Sequence, residues 1–207
     1  MKKYLDVLVD VETLSLRSTA AIIQIAAKTF TLDGSKTKQF TDDKKTESHF
    51  VKNVNATTCA MYGMSFDQGT IEWWSKQEAK ENFKTEWGEP ISYVLSEFNE
   101  WLEQWQKDSK ADELMIWTQG TDFDIAVLRN AYRVVFGDEK SIPWHFRNVR
   151  DARTYFLETA RVFEPNVEDP YSLIDTKGTV HNALADCEWS IKAVQWTYNK
   201  IVRNGTD

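Results

Sequence analysis

The hydrophobic pattern of the chain opens with a near-continuous apolar run that begins near Tyr4 and ends at Thr13. A run of Leu and Val of this kind is typical of a strand that is buried on both faces of a sheet. Asp10 and Glu12 point to the same side of this strand, because side chains alternate along it. Two carboxylates placed there repel each other and lose hydration, so the pair predicts a cation between them.

Alternating and helical patterns follow one another along the rest of the chain. Residues 20–30 and 38–51 are β-capable and predict a meander with the first strand. The most regular amphipathic pattern covers residues 90–107, and we assign its stripe of Trp residues to the core. The remaining segments are a short helix at 70–74 capped by Thr70, a buried strand at 113–118, helices at 122–135, 148–157 and 180–202, and a surface loop at 164–177. This order predicts an α/β domain with a mixed β-sheet flanked by α-helices.

Composition narrows the class of protein. The chain has 207 residues and 42% hydrophobic content, which suits one globular domain covering residues 1–207. A net charge of −7 argues against a broadly basic nucleic-acid binder, although bound cations can cancel acids locally. Asp6 and Asp10 interrupt the apolar segment behind Met1, which argues against a signal peptide. No apolar run approaches the ~20 residues of a membrane span, so we expect a cytoplasmic protein with no membrane partner and with reduced thiols at Cys59 and Cys187.

A second pair of acids, Asp122 and Asp124, lies between the predicted strand at 113–118 and the next helix. In open α/β sheets, functional sites gather where strands run into loops. Each acid also has a purely structural interpretation. Asp122 is well placed as the N-cap of the helix, and Asp124 in the first turn suits the helix dipole.

A third group opens the last helical pattern, where His181 precedes Asp186 by five residues. On a regular helix these two side chains lie ~140° apart, so they share a site only if His181 lies at or before the first turn. A His in that position suits a general base, and a helix-end His with no role is the alternative. Asp186 lies near the apolar side of the helix, where an Asp without a partner is costly.

The three groups, taken in this order, form a specific combination that spans nearly the whole chain. The sequence resembles the DEDDh class of 3′-to-5′ exonucleases, whose fold is ribonuclease H-like. Asp10 and Glu12 match the first motif, Asp124 matches the second, and His181 and Asp186 match the third.

Two further segments resemble the subgroup that contains the phage exonuclease A proteins and the mycobacterial-type exoribonucleases. They are Trp73-Trp74 followed by Gln77, and the Asp-Ala-Arg-Thr segment at 151–154. The two Trp side chains are candidates for base stacking, but core packing is the preferred interpretation. In the first motif, Leu14 stands where proofreading relatives commonly have Gly.

The resemblance implies a two-metal mechanism. Two Mg²⁺ or Mn²⁺ ions, ~3.5–4 Å apart, would be held by the four acids, with Asp10 bridging both. Neutral His181 would take the proton of an activated water, which would attack the 3′-terminal phosphodiester. The product would be a nucleoside 5′-monophosphate.

The resemblance also suggests substrate contacts. Thr13 and Leu14 are expected to contact the terminal nucleotide, and simple packing is the alternative for Leu14. Arg153 is the strongest basic candidate for a phosphate contact. Arg147, Arg150 and Arg153 are equally consistent with solvated charges along one helix edge.

We therefore expect a stand-alone exonuclease whose partner is nucleic acid with a free 3′ end, as a single strand or a 3′ overhang. DNA is marginally favoured over RNA. The alternatives are a catalytically silent nucleic-acid-binding module and a metal phosphohydrolase that acts on nucleotides or small phosphoesters. A homodimer is a further expectation, because several nucleases of this class are dimers.

Overall fold

A mixed five-stranded sheet forms the centre of the computed structural model, which describes residues 2–35, 48–77, 88–174 and 182–205. The strand order is β3-β2-β1-β4-β5. Neighbours are antiparallel from β3 to β1 and parallel from β1 to β5. The strands are β1 (Tyr4–Thr13), β2 (Ile22–Phe30), β3 (His49–Asn53), β4 (Glu113–Thr118) and β5 (Val149–Asp151). The predicted α/β class, with a mixed sheet that begins as a meander, is therefore confirmed.

Helices cover both faces of this sheet. They are α1 (Ala56–Met61), α2 (Gln68–Trp74), α3 (Ile91–Ser109), α4 (Asp124–Phe136), α5 (Ala152–Phe163) and α6 (Ala183–Asn204). Val7 and Val9 of β1 belong to the core cluster that includes side chains of α3 and α4. Leu8 points the other way and packs in a second cluster with Ala183 and Cys187 of α6. The alternation along β1 thus places its acids on the α6 side.

The most regular sequence patterns correspond to the observed elements. The predicted helix at 90–107 is α3, and its Phe98, Leu102 and Trp105 are fully buried, so assigning the stripe to the core is confirmed. Cys59 and Cys187 are buried free thiols, as expected. None of the helices in the described ranges combines the length and the apolar character that a membrane crossing requires.

Two predicted helix boundaries are wrong. The segment predicted as one helix at 148–157 begins with β5, and α5 starts at Ala152 because Asp151 caps it by accepting a hydrogen bond from the Thr154 backbone N–H at 2.7 Å. The cap of α2 is Asp67 rather than Thr70, since Asp67 accepts from the Thr70 N–H at 2.9 Å. Of the third predicted strand, residues 38–47 lie outside the described residues, and β3 continues beyond its predicted end.

Asp6 is an acid of β1 that lies away from the other carboxylates of that strand. Its Oδ1 accepts a hydrogen bond from Trp117 Nε1 at 2.8 Å. Burial raises the pKa of Asp6 above its usual range, while the Trp117 hydrogen bond and the charge of Arg150 oppose this shift. A raised carboxyl pKa means that the ionised form destabilises the fold, so stability falls as the pH rises through the folded pKa.

We therefore predict that Asp6→Asn raises the thermal midpoint at pH 8, because the amide oxygen still accepts from Trp117 without carrying a charge. In a chain of this length about 1 kcal/mol corresponds to roughly 2–4 °C. Thermal denaturation followed by circular dichroism at pH 8 and at pH values near 4 measures the difference, which should shrink on acidification. Asp138→Asn, at an exposed position, is the control and should change little. A lower midpoint for Asp6→Asn at pH 8 would contradict this interpretation.

Candidate active site

Three carboxylates meet where β1 extends past its neighbour. The pairing of β1 with β4 ends at Leu8 opposite Trp117, so the last residues of β1 have no β4 partner. Asp10, Glu12 and Asp186 each place a carboxylate oxygen here, and these oxygens all lie within 4.8 Å of one another. The predicted proximity of these three residues is therefore observed.

The first turn of α6 positions Asp186 over β1. Asn182 caps this helix by accepting a hydrogen bond from the Ala185 N–H at 3.1 Å. The Ala183 N–H donates to Gln24 Oε1 on β2, and the Cys187 thiol contacts the backbone oxygens of Leu8 and Ala26. Asp186 is therefore held between two strands by backbone contacts on either side of it.

Asp124 approaches the same edge from the first turn of α4. It is only 5% exposed, and a backbone hydrogen bond from Val11 connects it to β1. Burial raises its pKa to about 7, against the opposing effects of that hydrogen bond and of the Arg153 charge. It is not part of the 4.8 Å group, but its charge acts on the Cys187 thiol together with those of Asp10 and Asp186. Asp124 therefore lies within electrostatic range of the same thiol as Asp10 and Asp186.

The chemistry of these donors fits a hard divalent cation. Carboxylate oxygens are the ligands that Mg²⁺ and Mn²⁺ prefer. The first turns of α4 and α6 also direct their positive dipole ends to this region, which stabilises nearby carboxylates. Asp10, Glu12, Asp124 and Asp186 are the residues that could hold metal.

The predictions for His181 and for the N-cap of α4 compare differently with the structure. His181 lies outside the described residues; α6 begins at Ala183, so His181 precedes this helix in the chain. The prediction that Asp122 is the N-cap of α4 is wrong, because Phe123 occupies that position. The Gly120 carbonyl accepts the N–H groups of Phe123 and Asp124 instead, so a backbone turn begins the helix.

A cavity of about 460 Å³ opens beside Glu12. Its walls are mostly apolar and include Leu16 of the loop after β1, Trp73 of α2 and Phe123 before α4. Trp74 is buried and donates its indole N–H to the Thr13 carbonyl at 2.9 Å, whereas Trp73 is 40% exposed. The two Trp residues therefore differ: Trp74 packs in the core, as preferred from the sequence, and Trp73 is available to a ligand.

The loop after β1 distributes its side chains differently from the sequence-based expectation. Leu14 is 2% exposed and lies in the core, and its N–H donates to the Ala21 carbonyl. Leu16 is 81% exposed and lines the cavity. The pairing register of β1 with β2 shifts between Glu12 and Thr13. Thr13 itself is buried and donates its hydroxyl hydrogen to the Ser15 carbonyl. Packing, the alternative given for Leu14, describes its position.

Arg153 lies at the start of α5 and does not line the cavity. Its guanidinium passes close to Gly120, and its charge partly opposes the rise that burial causes in the pKa of Asp124. Burial opposes a lower pKa for Asp151, but the backbone hydrogen bonds from Thr154 and Thr121, with a smaller effect of the Arg153 charge, lower it. Asp151 accepts hydrogen bonds from the backbone N–H groups of Thr121 and Thr154, which joins the loop after β4 to α5. This role of Asp151 was not predicted, although an acid three residues before Thr154 at a helix start is a recognisable capping pattern.

Several solved nuclease structures have a similar fold. E. coli exonuclease I in complex with a dT13 oligonucleotide has a TM-score of 0.66 at 13% identity, covering 99% of this chain and 43% of that one. The cell-death related nuclease CRN-4 has a TM-score of 0.59 at 12% identity, and the match covers 99% of this chain and 67% of CRN-4. The nuclease domain of 3′hExo, a DEDDh family member bound to rAMP, has a TM-score of 0.59 at 10% identity. This match covers 98% of this chain and 94% of the 3′hExo domain. The chain thus spans less than half the length of exonuclease I, and these likenesses define the fold as that of ribonuclease H-like exonucleases.

The sequence itself assigns the family. Residues 5–198 match the 3′-5′ exoribonuclease Rv2179c-like domain, and the chain belongs to this family. No curated protein sequence matches the chain. The family, the fold and the acidic cluster agree with one another and support a hydrolytic nuclease activity.

Metal binding to the acidic cluster should be visible as thermal stabilisation. Without metal the clustered carboxylates repel one another, and a cation that binds only the folded chain raises the midpoint. We predict that Mn²⁺ at a hundredfold excess over its Kd raises the midpoint by about 5–10 °C. Asp186→Asn should lose most of this rise while being at least as stable in EDTA.

Asp122→Asn provides the matched control, because Asp122 is an exposed acid in the loop before α4 and does not belong to the cluster. It should respond to Mn²⁺ as the wild type does. Equal metal-induced shifts in Asp186→Asn and in the wild type would show that the cluster is not the metal site.

Proposed function

We propose that this protein is a divalent-metal-dependent exonuclease that removes nucleoside 5′-monophosphates from the 3′ end of single-stranded nucleic acid. The observation that carries this proposal is the contact of Asp10, Glu12 and Asp186, with oxygens within 4.8 Å, beside a cavity of about 460 Å³ with aromatic walls. A terminal nucleotide would place its base in this cavity and its 5′-phosphate at the acids.

Asp10, Glu12, Asp124 and Asp186 would hold the Mg²⁺ or Mn²⁺ ions. When bound, such cations neutralise charge on the phosphodiester and promote the ionisation of water at neutral pH. Asp124 and Asp186 enter from different helices, so the ligands converge from opposite sides of β1. The buried position of Asp124 strengthens its interaction with any cation, because little water competes there.

His181 is the general base in this proposal. It precedes α6 by two residues, and Asp186 of the same helix lies in the cluster. A neutral imidazole accepts the proton of the attacking water and releases it to solvent. Of the residues before the helix, Asn182 already serves as its cap, which leaves His181 as the neighbouring group with proton-transfer chemistry.

The cavity supports recognition of a chain end. Leu16, Trp73 and Phe123 offer apolar surfaces to a base, and stacking of this kind tolerates any sequence. Leu16 replaces Leu14 as the residue that we propose to press against the terminal base, since Leu14 is buried and its N–H is hydrogen-bonded within the loop. Thr13 forms part of the wall, and Arg153 remains our candidate for a phosphate contact.

The family description shifts the preferred polymer toward RNA. The matching domain is described as a 3′-5′ exoribonuclease, and 3′hExo is bound to rAMP. Exonuclease I, by contrast, is bound to a DNA oligonucleotide. We therefore propose single-stranded RNA as the first substrate to test, with DNA of the same sequence beside it, in place of the marginal preference for DNA.

Cleavage of 5′-labelled oligonucleotides tests the proposed activity. In Mg²⁺ or Mn²⁺ the wild type should give a ladder that shortens from the 3′ end, and EDTA should prevent it. Asp10→Ala should abolish turnover, because it removes the acid placed to share both ions, while circular dichroism shows an intact fold. Retained activity in this variant would contradict the assignment, and the faster polymer identifies the preferred sugar.

His181→Ala tests the role of the general base in the same cleavage assay, independently of metal binding. Loss of a general base lowers the rate by about 10²–10⁴-fold. The Mn²⁺-induced rise of the thermal midpoint should remain, because the four acids are unchanged. A variant with wild-type turnover would exclude His181 as the base.

A further inference from the structure

A second cavity, of about 480 Å³, lies between α4 and the segment that leads into β5. Ile125 and Arg129, one turn apart on α4, form one wall. Trp144, His145 and Phe146 form the facing wall. The proposed activity has so far assigned no role to this cavity.

Phe146 dominates the outer rim of the second cavity and is 67% exposed. The His145 ring lies against it, with centroids 4.5 Å apart and planes inclined by 32°. The Arg147 guanidinium lies over the same ring, 5.5 Å from its centroid. An exposed aromatic ring supported by a second ring and a cation is the arrangement on which nucleobases stack.

The segment 125–150, which contains Phe146, has a net positive charge, whereas the whole chain is negative. Residues 125–150 contain five Lys or Arg and two acids, which gives +3 in a protein of net charge −7. Glu139, one of the two acids, is paired with Arg129 at the cavity. Arg147 lies over Phe146 and the Arg150 guanidinium donates to the Arg147 carbonyl, so two cations at this rim can attract a phosphate backbone.

The second cavity begins one residue from a proposed catalytic acid. Ile125 lines it, Asp124 is the preceding residue, and Phe123 lines the first cavity. The first turn of α4 therefore separates the two cavities and carries a catalytic acid between them. A strand whose terminal base fills the first cavity, with its scissile phosphate at the acids, can leave across this turn into the second cavity.

We propose that the second cavity and its rim form an upstream subsite, which binds nucleotides on the 5′ side of the scissile bond. Phe146 stacks a base there, and Arg147 contacts a phosphate of the same strand. This inference rests on the proposed function, because it concerns the same substrate. It explains how a chain with a strong negative net charge holds a long polyanion at a distance from its cations.

The test compares a single-stranded decanucleotide with a chromogenic nucleotide ester, p-nitrophenyl thymidine 5′-phosphate, which is too small to span both cavities. Binding of the decanucleotide is measured by fluorescence anisotropy in Ca²⁺ at several salt concentrations, and hydrolysis of the ester is measured in Mn²⁺. Phe146→Ala should weaken decanucleotide binding about tenfold, since base–aromatic stacking contributes roughly 1–3 kcal/mol. Its kcat/KM on the ester should equal that of the wild type.

Arg147→Gln tests the phosphate contact without removing the aromatic ring. The slope of log Kobs against log salt should become shallower by about 0.7, the value for one phosphate of a single strand. Tyr93→Ala removes an exposed aromatic side chain of α3 and is the matched control, which should leave binding and hydrolysis unchanged.

Decanucleotide binding equal to wild type in both Phe146→Ala and Arg147→Gln would overturn the upstream subsite. Equal losses on the decanucleotide and on the ester would also overturn it, because they would show a general disturbance of the catalytic site. A wild type that binds the decanucleotide but hydrolyses neither substrate would contradict the proposed function, and the binding losses would still decide the inference. A change of oligomeric mass in Phe146→Ala with unchanged binding would assign the surface to a protein contact instead.

Discussion

Repulsion among carboxylates at the end of a buried strand is the constraint on which this structure depends. Asp10 and Glu12 must point to one side of β1 because of the strand period, and Asp186 is brought to them by α6. Burial increases the cost of the negative charge of Asp124, whose pKa is raised to about 7. Local packing holds the acids together, and a bound divalent cation would convert their repulsion into attraction.

The packing that holds the acids in place is built from short-range contacts to backbone atoms. Val11 donates to Asp124, the Cys187 thiol contacts Leu8, and the Trp74 indole donates to Thr13. Each of these contacts connects an element of the site to β1. The strand therefore acts as the common reference for α2, α4 and α6, which explains why residues far apart in the chain form one site.

Much of this arrangement could be predicted from the sequence, because β1, α3, α4 and α6 are long enough to show a clear period. The three acidic motifs lie at the ends of these elements, where strand and helix geometry fixes their direction. β5 could not be predicted in this way, since three residues carry no readable period and its pairing with β4 is a tertiary contact. The exchange of Leu14 for Leu16 at the cavity could not be predicted either, because the burial of Leu14 depends on tertiary contacts such as the hydrogen bond from its N–H to the Ala21 carbonyl.

Anomalous diffraction from crystals grown with Mn²⁺ and a nucleoside 5′-monophosphate is the most direct measurement of the central claim. The account predicts two anomalous peaks about 3.5–4 Å apart, both bound by Asp10, with Glu12, Asp124 and Asp186 completing the ligand set. The base of the nucleotide should lie between Leu16 and the aromatic walls of the first cavity. Peaks located away from these four acids, or none at saturating Mn²⁺, would contradict the account.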